Sequence, residues 1–237
     1  MNTKGWRLSF SVMVILLMGA LIMKWIGSSG APLTEVNGSL DVDPSLSGSA
    51  VTDVRVFFPP LQGMTYYFAG EGMEYASFTR QITFTTPDAV QVEDRSGTNL
   101  AQVVEYSPEG LRIIWSEEEF YSKESLLDDT MREGRSSGGP RDLLLLKAPV
   151  MKGNTWRDAS FDREIIAADE IVTIPLGTFY EVVTVKSRSI EADDFVMYEY
   201  YAKNIGLIKR VSLYVQDEKT YAVVSNLQSL ACPRPQF

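Results

Sequence analysis

The alternation of apolar and polar residues after Val51 constrains the fold of this chain more than any other feature of its sequence. Between Ala76 and Thr85 the even positions are apolar and the odd positions are Ser, Thr or Gln, with Arg80 as the exception. Residues Leu207–Gln216 and Leu111–Ser116 alternate in the same manner. A period of two residues is typical of strands that bury one face and expose the other.

Further strand-like runs follow one another with short turns between many of them. They are Val54–Phe58, Met64–Ala69, Leu100–Tyr106, Leu143–Lys147, Ile165–Ile174, Phe179–Arg188, Phe195–Ala202 and Thr220–Leu227. The turn segments include Pro59–Pro60, Thr86–Asp88, Ser107–Gly110 and Asp217–Lys219. This order predicts a mainly β protein with a single antiparallel meander of about ten strands, curved into an open sheet or half-barrel.

The longest interruption of the strand pattern is Glu117–Pro140. Phe120, Leu127 and Met131 are spaced by seven and four residues, which would place them on one side of a helix. Acidic residues suit the positive end of a helix dipole, so this helix would begin among Glu117–Glu119 and pack into the concave side of the sheet. The alternative is an irregular crossover without a helix.

The N-terminus predicts an apolar helix directed to a membrane. Residues Leu8–Met23 carry no charge and lie between Lys4 and Arg7 on one side and Lys24 on the other. Residues 1–26 therefore act as a signal peptide or a signal anchor, and both alternatives place the rest of the chain outside the cytoplasm. If residues 8–26 are not cleaved off, the protein is a single-pass membrane protein with its C-terminal domain outside; otherwise it is secreted.

Two segments follow this helix. Residues 27–50 are rich in Gly, Ser and Pro and contain no aromatic residue, which predicts a flexible linker with a span on the order of 25–30 Å. Residues 51–237 form the predicted extracytoplasmic β domain. Beyond residue 26 the chain has 19 Lys and Arg against 31 Asp and Glu, a net charge of −12. This balance argues against nucleic-acid binding and predicts repulsion from anionic lipid headgroups, unless a local patch differs.

The chain contains no histidine and a single cysteine, Cys232. Catalysis by Ser-His-Asp or Cys-His groups is therefore excluded, as are zinc sites built on Cys and His. An intramolecular disulfide cannot form. Stability must come from apolar burial and from the hydrogen bonds of the sheet.

Paired carboxylates could hydrolyse glycosides without histidine. The candidates are Glu117, Glu118, Glu119, Asp128, Asp129, Glu191, Asp193 and Asp194. They lie at the ends of predicted elements or in turns, so we interpret them as solvated surface groups. No calcium-loop spacing and no phosphate-binding glycine motif occurs. The sequence thus predicts no catalytic, cofactor-binding or metal-binding residues.

Five tyrosines are candidates for a ligand-binding surface. Tyr66, Tyr67, Tyr198, Tyr200 and Tyr201 could line a surface for carbohydrate or lipid. The plainer interpretation is that they are core residues and cross-strand pairs, as aromatic residues in strands usually are.

Three segments resemble uncharacterised exported proteins of Gram-positive bacteria. They are a G-x-x-W segment at Gly153–Trp156, a P-x-G-T-F turn within Ile174–Tyr180, and a Y-Y-A-x-x-x-G-L-x-K hairpin at Tyr200–Lys209. The resemblance spans roughly residues 149–210 and implies an antiparallel sheet of the half-barrel type seen in lipoprotein carriers. It implies no catalytic residue. Separately, Pro60–Tyr66 echoes Pro149–Trp156, which suggests an internal duplication.

The function predicted from these observations is a non-enzymatic binding or structural module at the bacterial cell envelope, holding an apolar or amphiphilic ligand if the sheet leaves its concave face open. Candidate partners are a lipid, a cell-wall component or an envelope protein. The alternatives are a carboxylate-dependent hydrolase acting on cell-wall sugars and a sensory ectodomain that signals through the apolar helix.

Overall fold

The computed structural model describes residues 51–128, 132, 138–192, 194–216 and 219–233. The predicted membrane segment, residues 1–26, and the predicted linker, residues 27–50, lie outside the described residues. In the described part of the chain, no helix is both long enough and apolar enough to cross a membrane.

The described residues are mainly β and form one antiparallel sheet of twelve strands. The strands are β1 (Thr65–Glu71), β2 (Phe78–Thr85), β3 (Ala89–Arg95), β4 (Asn99–Ser107), β5 (Gly110–Glu118), β6 (Gly138–Lys147), β7 (Thr155–Arg157), β8 (Phe161–Ile174), β9 (Gly177–Ser189), β10 (Phe195–Ala202), β11 (Gly206–Gln216) and β12 (Lys219–Ala231). Their order in the sheet is β6-β5-β4-β3-β2-β1-β12-β11-β10-β9-β8-β7. The prediction of a mainly β fold with a single antiparallel sheet is confirmed.

The sheet consists of two meanders, β1–β6 and β7–β12, which we call the first and second halves. They join through the β1/β12 ladder, while β6 and β7 are the two outer edges. Only residues 148–154 connect these edges, so the sheet must curl until they approach each other. The Trp156 indole Nε1 donates to the Leu144 carbonyl at 2.6 Å, and Lys147 Nζ donates to the Thr155 carbonyl at 3.0 Å. Within the described residues no ladder pairs β6 with β7, so the curved sheet stays open.

Three details differ from the predicted strands, and one of them is that β7 (Thr155–Arg157) was not predicted. Val54–Phe57 is a 3-10 helix instead of a strand, and the Asp53 side chain caps it by accepting from the Arg55 amide at 3.0 Å. Strand β3 was not predicted. It is buried on both faces, and its fully buried Gln91 interrupts the apolar pattern that would reveal a strand.

The helix predicted to start among Glu117–Glu119 is wrong. Glu117 and Glu118 end strand β5, and residues 119–128 are irregular. Phe120 and Leu126 are buried against Ala101 and Val103, on the face of the sheet opposite the main core. The Leu126 amide donates to the buried Gln91 Oε1 at 2.6 Å. The described residues therefore fit the irregular crossover; Met131 lies outside them.

The main core lies on the concave face and draws on both halves. Val90, Leu111, Ile165, Val185 and Ile208 each have 0% of their surface exposed. Burial of such side chains stabilises the fold by about 1.5–3 kcal/mol each. The predicted reliance on apolar burial is consistent with this arrangement.

Candidate functional site

The first half begins with a turn at Leu61–Met64, directly before strand β1. The Met64 amide donates to the Leu61 carbonyl at 3.0 Å, and Gly63 adopts a φ of +82°, which favours glycine. The Gly63 amide then donates to the Ile82 carbonyl at 2.7 Å, and the Ile82 amide donates to Met64 at 3.0 Å. These bonds lock the turn onto strand β2.

The second half begins with the same turn. The Asn154 amide donates to the Met151 carbonyl at 3.2 Å, and Gly153 has a φ of +88°. Gly153 donates to the Ile165 carbonyl at 2.8 Å, and the Ile165 amide donates to Asn154 at 2.9 Å. The sequence echo between Pro60–Tyr66 and Pro149–Trp156 thus corresponds to one repeated geometry, in which Ile165 is the counterpart of Ile82.

This equivalence exposes a second repeated motif, F-x-R-x-I, at the start of β2 and β8. Its residues are Phe78, Arg80 and Ile82 in the first half and Phe161, Arg163 and Ile165 in the second. Alternate residues of a strand share a face, so each strand presents an aromatic ring, a guanidinium and an isoleucine to the concave side. Each arginine also lies near the ring of its own motif, at 5.8 Å for Arg80 and 4.8 Å for Arg163.

In the first half the buried arginine has one dedicated carboxylate. Arg80 donates through Nε and Nη2 to the two oxygens of Asp94, both at 2.7 Å, and the side chains are 10% and 17% exposed. Burial by itself would lower the pKa of Arg80. The adjacent Asp94 carboxylate raises this pKa by more, so the pKa lies above its ordinary value. The Arg80 guanidinium therefore stays charged.

In the second half the arginine is more deeply enclosed. Arg163 donates from Nε to Asp158 Oδ2 and from Nη1 to Ser187 Oγ, each at 2.8 Å. Its Nη1 lies 3.9 Å from Glu199 Oε2, and the side chains of Arg163, Asp158 and Glu199 are 2–3% exposed. Such burial is tolerated only when charges are paired.

Glu199 connects these groups. Its Oε1 accepts from Nε and Nη2 of Arg210, at 3.0 and 2.8 Å, while its buried Oε2 has no hydrogen-bond donor among the described residues. Burial would raise the pKa of Glu199, but Arg210 and Arg163, with a smaller contribution from Arg80, hold it below its usual value. Arg80 belongs to the first half, and the Arg210 guanidinium lies 5.8 Å from the ring of Phe78 of that half, so residues of both halves meet here. We call this set the charged layer: Arg80, Asp94, Asp158, Arg163, Glu199 and Arg210.

Aromatic pairs lie beside the charged layer. The Phe68 and Phe78 rings stack with centroids 4.3 Å apart, Tyr214 and Tyr221 stack at 5.4 Å, and Phe161 and Phe195 lie 6.3 Å apart. A cavity of about 10 Å³ remains beside Arg80, large enough for about one water molecule. Apolar residues and ion pairs thus pack closely around this cavity.

A shallow groove of about 470 Å³ runs over β7–β9. Its lining residues are Thr155, Trp156, Arg157, Asp162, Arg163, Glu164, Lys186 and Arg188. Arg157 donates to both carboxylate oxygens of Asp162, at 2.5 and 2.6 Å, which lowers the pKa of Asp162. The groove is thus a charged surface of alternating sign.

The predicted acidic clusters do not form this site. Glu119, Asp128, Glu191 and Asp194 are exposed, which confirms their interpretation as surface groups. Glu117 is buried, with 4% of its surface exposed, so that interpretation is wrong for it, and Glu118 at the end of β5 is half-buried. Asp129 and Asp193 lie outside the described residues.

The carboxylates that do converge, Asp94, Asp158 and Glu199, were not predicted. The sequence signal was Arg80, the one charge that broke the alternation of its strand. Arg210 and Arg163 hold the pKa of Glu199 below its usual value, so this carboxylate is poorly suited to donate a proton as a general acid. Within the described residues, no three acidic or cysteine side chains are grouped so that they could hold a metal ion.

The five candidate tyrosines separate into three groups. Tyr66 and Tyr201 are buried in the core, and burial raises the pKa of Tyr66 to about 12. Tyr67 is 41% exposed. Tyr198 and Tyr200 are half-buried on the outer face of the sheet, where lysines lie over both rings.

No family model and no curated protein matches this chain. Two solved structures are similar over most of its length. One is a "putative lipoprotein" from Parabacteroides distasonis, with 18% identity, coverage of 76% of this chain and 99% of the other, and a TM-score of 0.39. The other is a "putative exported protein with YmcC-like fold" from Bacteroides fragilis, with 13% identity, coverage of 72% and 96%, and a TM-score of 0.41. Both sources are Bacteroidetes, so these structures do not support the resemblance to Gram-positive proteins, and at these TM-scores they assign no function.

Proposed function

We propose that this protein is a non-enzymatic extracytoplasmic module of the bacterial cell envelope that acts through its outer surfaces. The observation that carries the proposal is the packed interior, in which the charged layer and the apolar core surround a cavity of about 10 Å³ beside Arg80. Ligand pockets for lipid-sized molecules are usually 300–1,000 Å³ in volume, on the order of thirty times larger or more.

The packed interior favours a scaffold over a carrier. An enclosed apolar ligand would have to displace core side chains such as Leu207 and Ile82, or separate the Arg80–Asp94 pair. Leaving either partner of this partly buried pair without its counter-charge costs about 1–3 kcal/mol. Binding of an external partner requires neither change.

The extracytoplasmic location rests on the apolar segment Leu8–Met23 with its flanking cations. The non-enzymatic role rests on the absence of histidine from the sequence and on the Arg pairing of each carboxylate in the charged layer. A hydrolase of the paired-carboxylate type needs one carboxyl that holds its proton near neutral pH, and the lowered pKa of Glu199 is contrary to that requirement.

Two measurements on the full chain test this proposal. Protease digestion of intact cells and of lysed cells should show that the domain is cleaved from outside, and cleavage only after lysis would contradict the location. Native mass spectrometry of the chain extracted from cells should show no stoichiometric small amphiphile retained inside it. A retained amphiphile that disappears in a core-filling variant such as Ala202→Leu, but persists in the surface control Tyr121→Ala, would overturn the scaffold role.

A further inference from the structure

Strands β8 and β9 extend beyond their neighbours in the sheet as a two-stranded hairpin. Strand β9 last pairs with β10 at Val182, and on β8 the hydrogen bonds from the connector before β7 reach Ile165. Beyond these two residues the described strands pair with each other, up to the turn at residues 175–176. This turn is the P-x-G-T-F segment of the sequence. We call residues 171–180 the finger.

The two faces of the finger have different environments. On the inner face, Val172 and Ile174 are 8% and 5% exposed, and Phe179 packs against the same core cluster. On the outer face, Ile171 and Tyr180 are 64% and 65% exposed. The inner face therefore holds the finger in place, while the outer face presents large apolar side chains to the surroundings.

The outer face and the turn of the finger carry no charge. At the turn, Pro175 is exposed and Leu176 is 42% exposed. The polar side chains of the outer face satisfy each other, because Thr173 and Thr178 are cross-strand partners whose hydroxyl oxygens lie 3.0 Å apart in a hydrogen bond. Removing this surface from water thus costs less than removing unpaired polar groups.

Carboxylates begin directly behind the finger. Asp169 is exposed, Glu170 accepts from the Thr184 hydroxyl at 2.6 Å, and Glu181 accepts from Lys203. The finger is thus an apolar projection on a mainly acidic base, and its composition does not suit an anionic ligand.

The finger lies at the end of the sheet where the chain enters the domain. Val51 forms a bridge with Val150 in the connector between β6 and β7, and the Val56 carbonyl accepts from the Asn204 amide in the β10–β11 turn. The β8–β9 and β10–β11 turns lie at the same end, since they close alternate hairpins of one antiparallel meander. The predicted membrane segment and linker therefore lead into the domain at the end that carries the finger.

We infer that the finger inserts its apolar end into a lipid bilayer. A strand rises about 3.4 Å per residue, so Tyr180 lies about 10 Å behind the turn. Insertion by about 5–10 Å places Leu176 at the boundary with the acyl chains and Tyr180 among the headgroups, where tyrosine is favoured.

The size of the finger favours a bilayer over a second protein. Its outer face is two strands wide and about five residues long, which is roughly 150–200 Å². A stable protein interface buries about 800 Å² on each partner. A contact of this size becomes effective when the predicted linker, residues 27–50, holds the domain within tens of ångströms of the membrane segment and so raises the effective concentration of lipid. The inference rests on the proposed envelope location and names the surface through which the module acts.

The test measures the depth of the finger in vesicles of phosphatidylcholine that hold the full chain. Cys232→Ser removes the native thiol, and Thr173→Cys carries an environment-sensitive dye on the outer face of the finger. In a second sample Thr98→Cys carries the same dye in the β3–β4 turn, at the opposite end of the sheet. With nitroxide groups on the acyl chains, we expect a blue shift and about twofold quenching at position 173 and neither at position 98.

Serine variants identify the side chains responsible. I171S/L176S/Y180S should abolish both signals at position 173, and Leu176→Ser alone should weaken them. The matched control Y75S/I190S/V215S also removes one tyrosine and two aliphatic side chains, which are 40–44% exposed at the opposite end, and should retain both signals. Mixing in phosphatidylglycerol should weaken the signals at low salt, because carboxylates lie behind the finger, and high salt should restore them.

Four outcomes would overturn the inference. They are no quenching at position 173, equal quenching at positions 173 and 98, an unchanged signal in the finger variant, and a stronger signal with phosphatidylglycerol than without it. Because the vesicles are supplied directly, the depth measurement does not depend on export. Protease digestion of cells does not depend on insertion of the finger, so the two experiments can fail independently.

Discussion

The two halves of the sheet begin with the same turn and the same F-x-R-x-I strand, yet they neutralise the buried arginine differently. Among the described residues, the side chain that binds Arg80 of the first half is Asp94. Arg163 of the second half is bound by Asp158 and Ser187 and lies near Glu199, which is shared with Arg210. The repeated motif therefore fixes where a charge is buried, while its partners come from positions outside the motif.

The ion pairs of the two halves differ in how much of their side chains is exposed to solvent, and this difference affects the cost of breaking them. Arg80 and Asp94 keep 10% and 17% of their side chains exposed, whereas Arg163, Asp158 and Glu199 keep 2–3%. A partly solvated ion can recover hydration when its partner is removed, but a fully buried ion cannot. The two halves should thus respond unequally to equivalent changes.

The largest effect is expected at the shared carboxylate. Glu199→Gln should lower the free energy of unfolding by about 3–5 kcal/mol, because it leaves Arg163 and Arg210 short of a counter-charge in a dry environment. The matched change Asp94→Asn should cost less, about 1–3 kcal/mol. Urea denaturation of both variants measures the difference, and equal losses would contradict the inequality between the halves.

Acidification offers an independent check on Glu199. Its pKa is lowered in the folded protein, so it contributes stability above the pKa of an unfolded glutamate and loses that contribution as pH falls through the lower folded value. Glu199→Gln should flatten this acid limb in urea titrations at successive pH values. An acid limb of unchanged slope would show that other carboxylates govern it.

Alkaline pH should distinguish Tyr66 from its counterpart Trp156. Burial raises the pKa of Tyr66 to about 12 from an ordinary 10.0, so its contribution is present below pH 10 and is lost as pH rises through 12. The loss should amount to about 2–3 kcal/mol. Tyr66→Phe should reduce the alkaline destabilisation, whereas Trp156→Phe should not change it. The experiment is thermal unfolding between these pH values.

The two turn glycines should also differ. Alanine at Gly63 or Gly153 would strain a positive φ at a cost of about 1–2 kcal/mol. A Cβ at Gly63 would also lie 2.8 Å from Cβ of Pro233, while a Cβ at Gly153 would meet nothing within 4 Å. Gly63→Ala should therefore destabilise the protein more than Gly153→Ala. Adding Pro233→Gly should remove the excess, and an excess that persists would exclude the clash as its cause.

The smallest effect concerns the two junctions between the halves. A ladder joins β1 to β12, but across the open seam Trp156 Nε1 donates to the Leu144 carbonyl. Trp156→Phe should cost about 1 kcal/mol, the usual net value of one hydrogen bond. Hydrogen exchange should accelerate in β6 and β7 and remain unchanged in β1 and β12. Equal acceleration at both junctions would indicate global destabilisation instead.

The alternation of apolar and polar residues was sufficient to predict most of the strands. A strand with one buried and one solvent-exposed face has a sequence that repeats every two residues. The pattern failed for β3, where Gln91 and Glu93 are buried on the second face, and for residues 119–128, where Phe120 and Leu127 have helix-like spacing without a helix. In both places a contact with another segment decided the structure.

The sequence by itself determined a mainly β chain without histidine chemistry and with an acidic net charge, because these properties depend on composition and on neighbouring residues. Only the tertiary structure decided that Arg80 and Glu199 face the same interior and that the finger lies at the same end of the sheet as Val51. Those groupings arise from strand register and from the curling of the sheet, which bring together residues that are far apart along the chain. A net charge gives the sum of the charges, whereas their distribution over the surface follows from the fold.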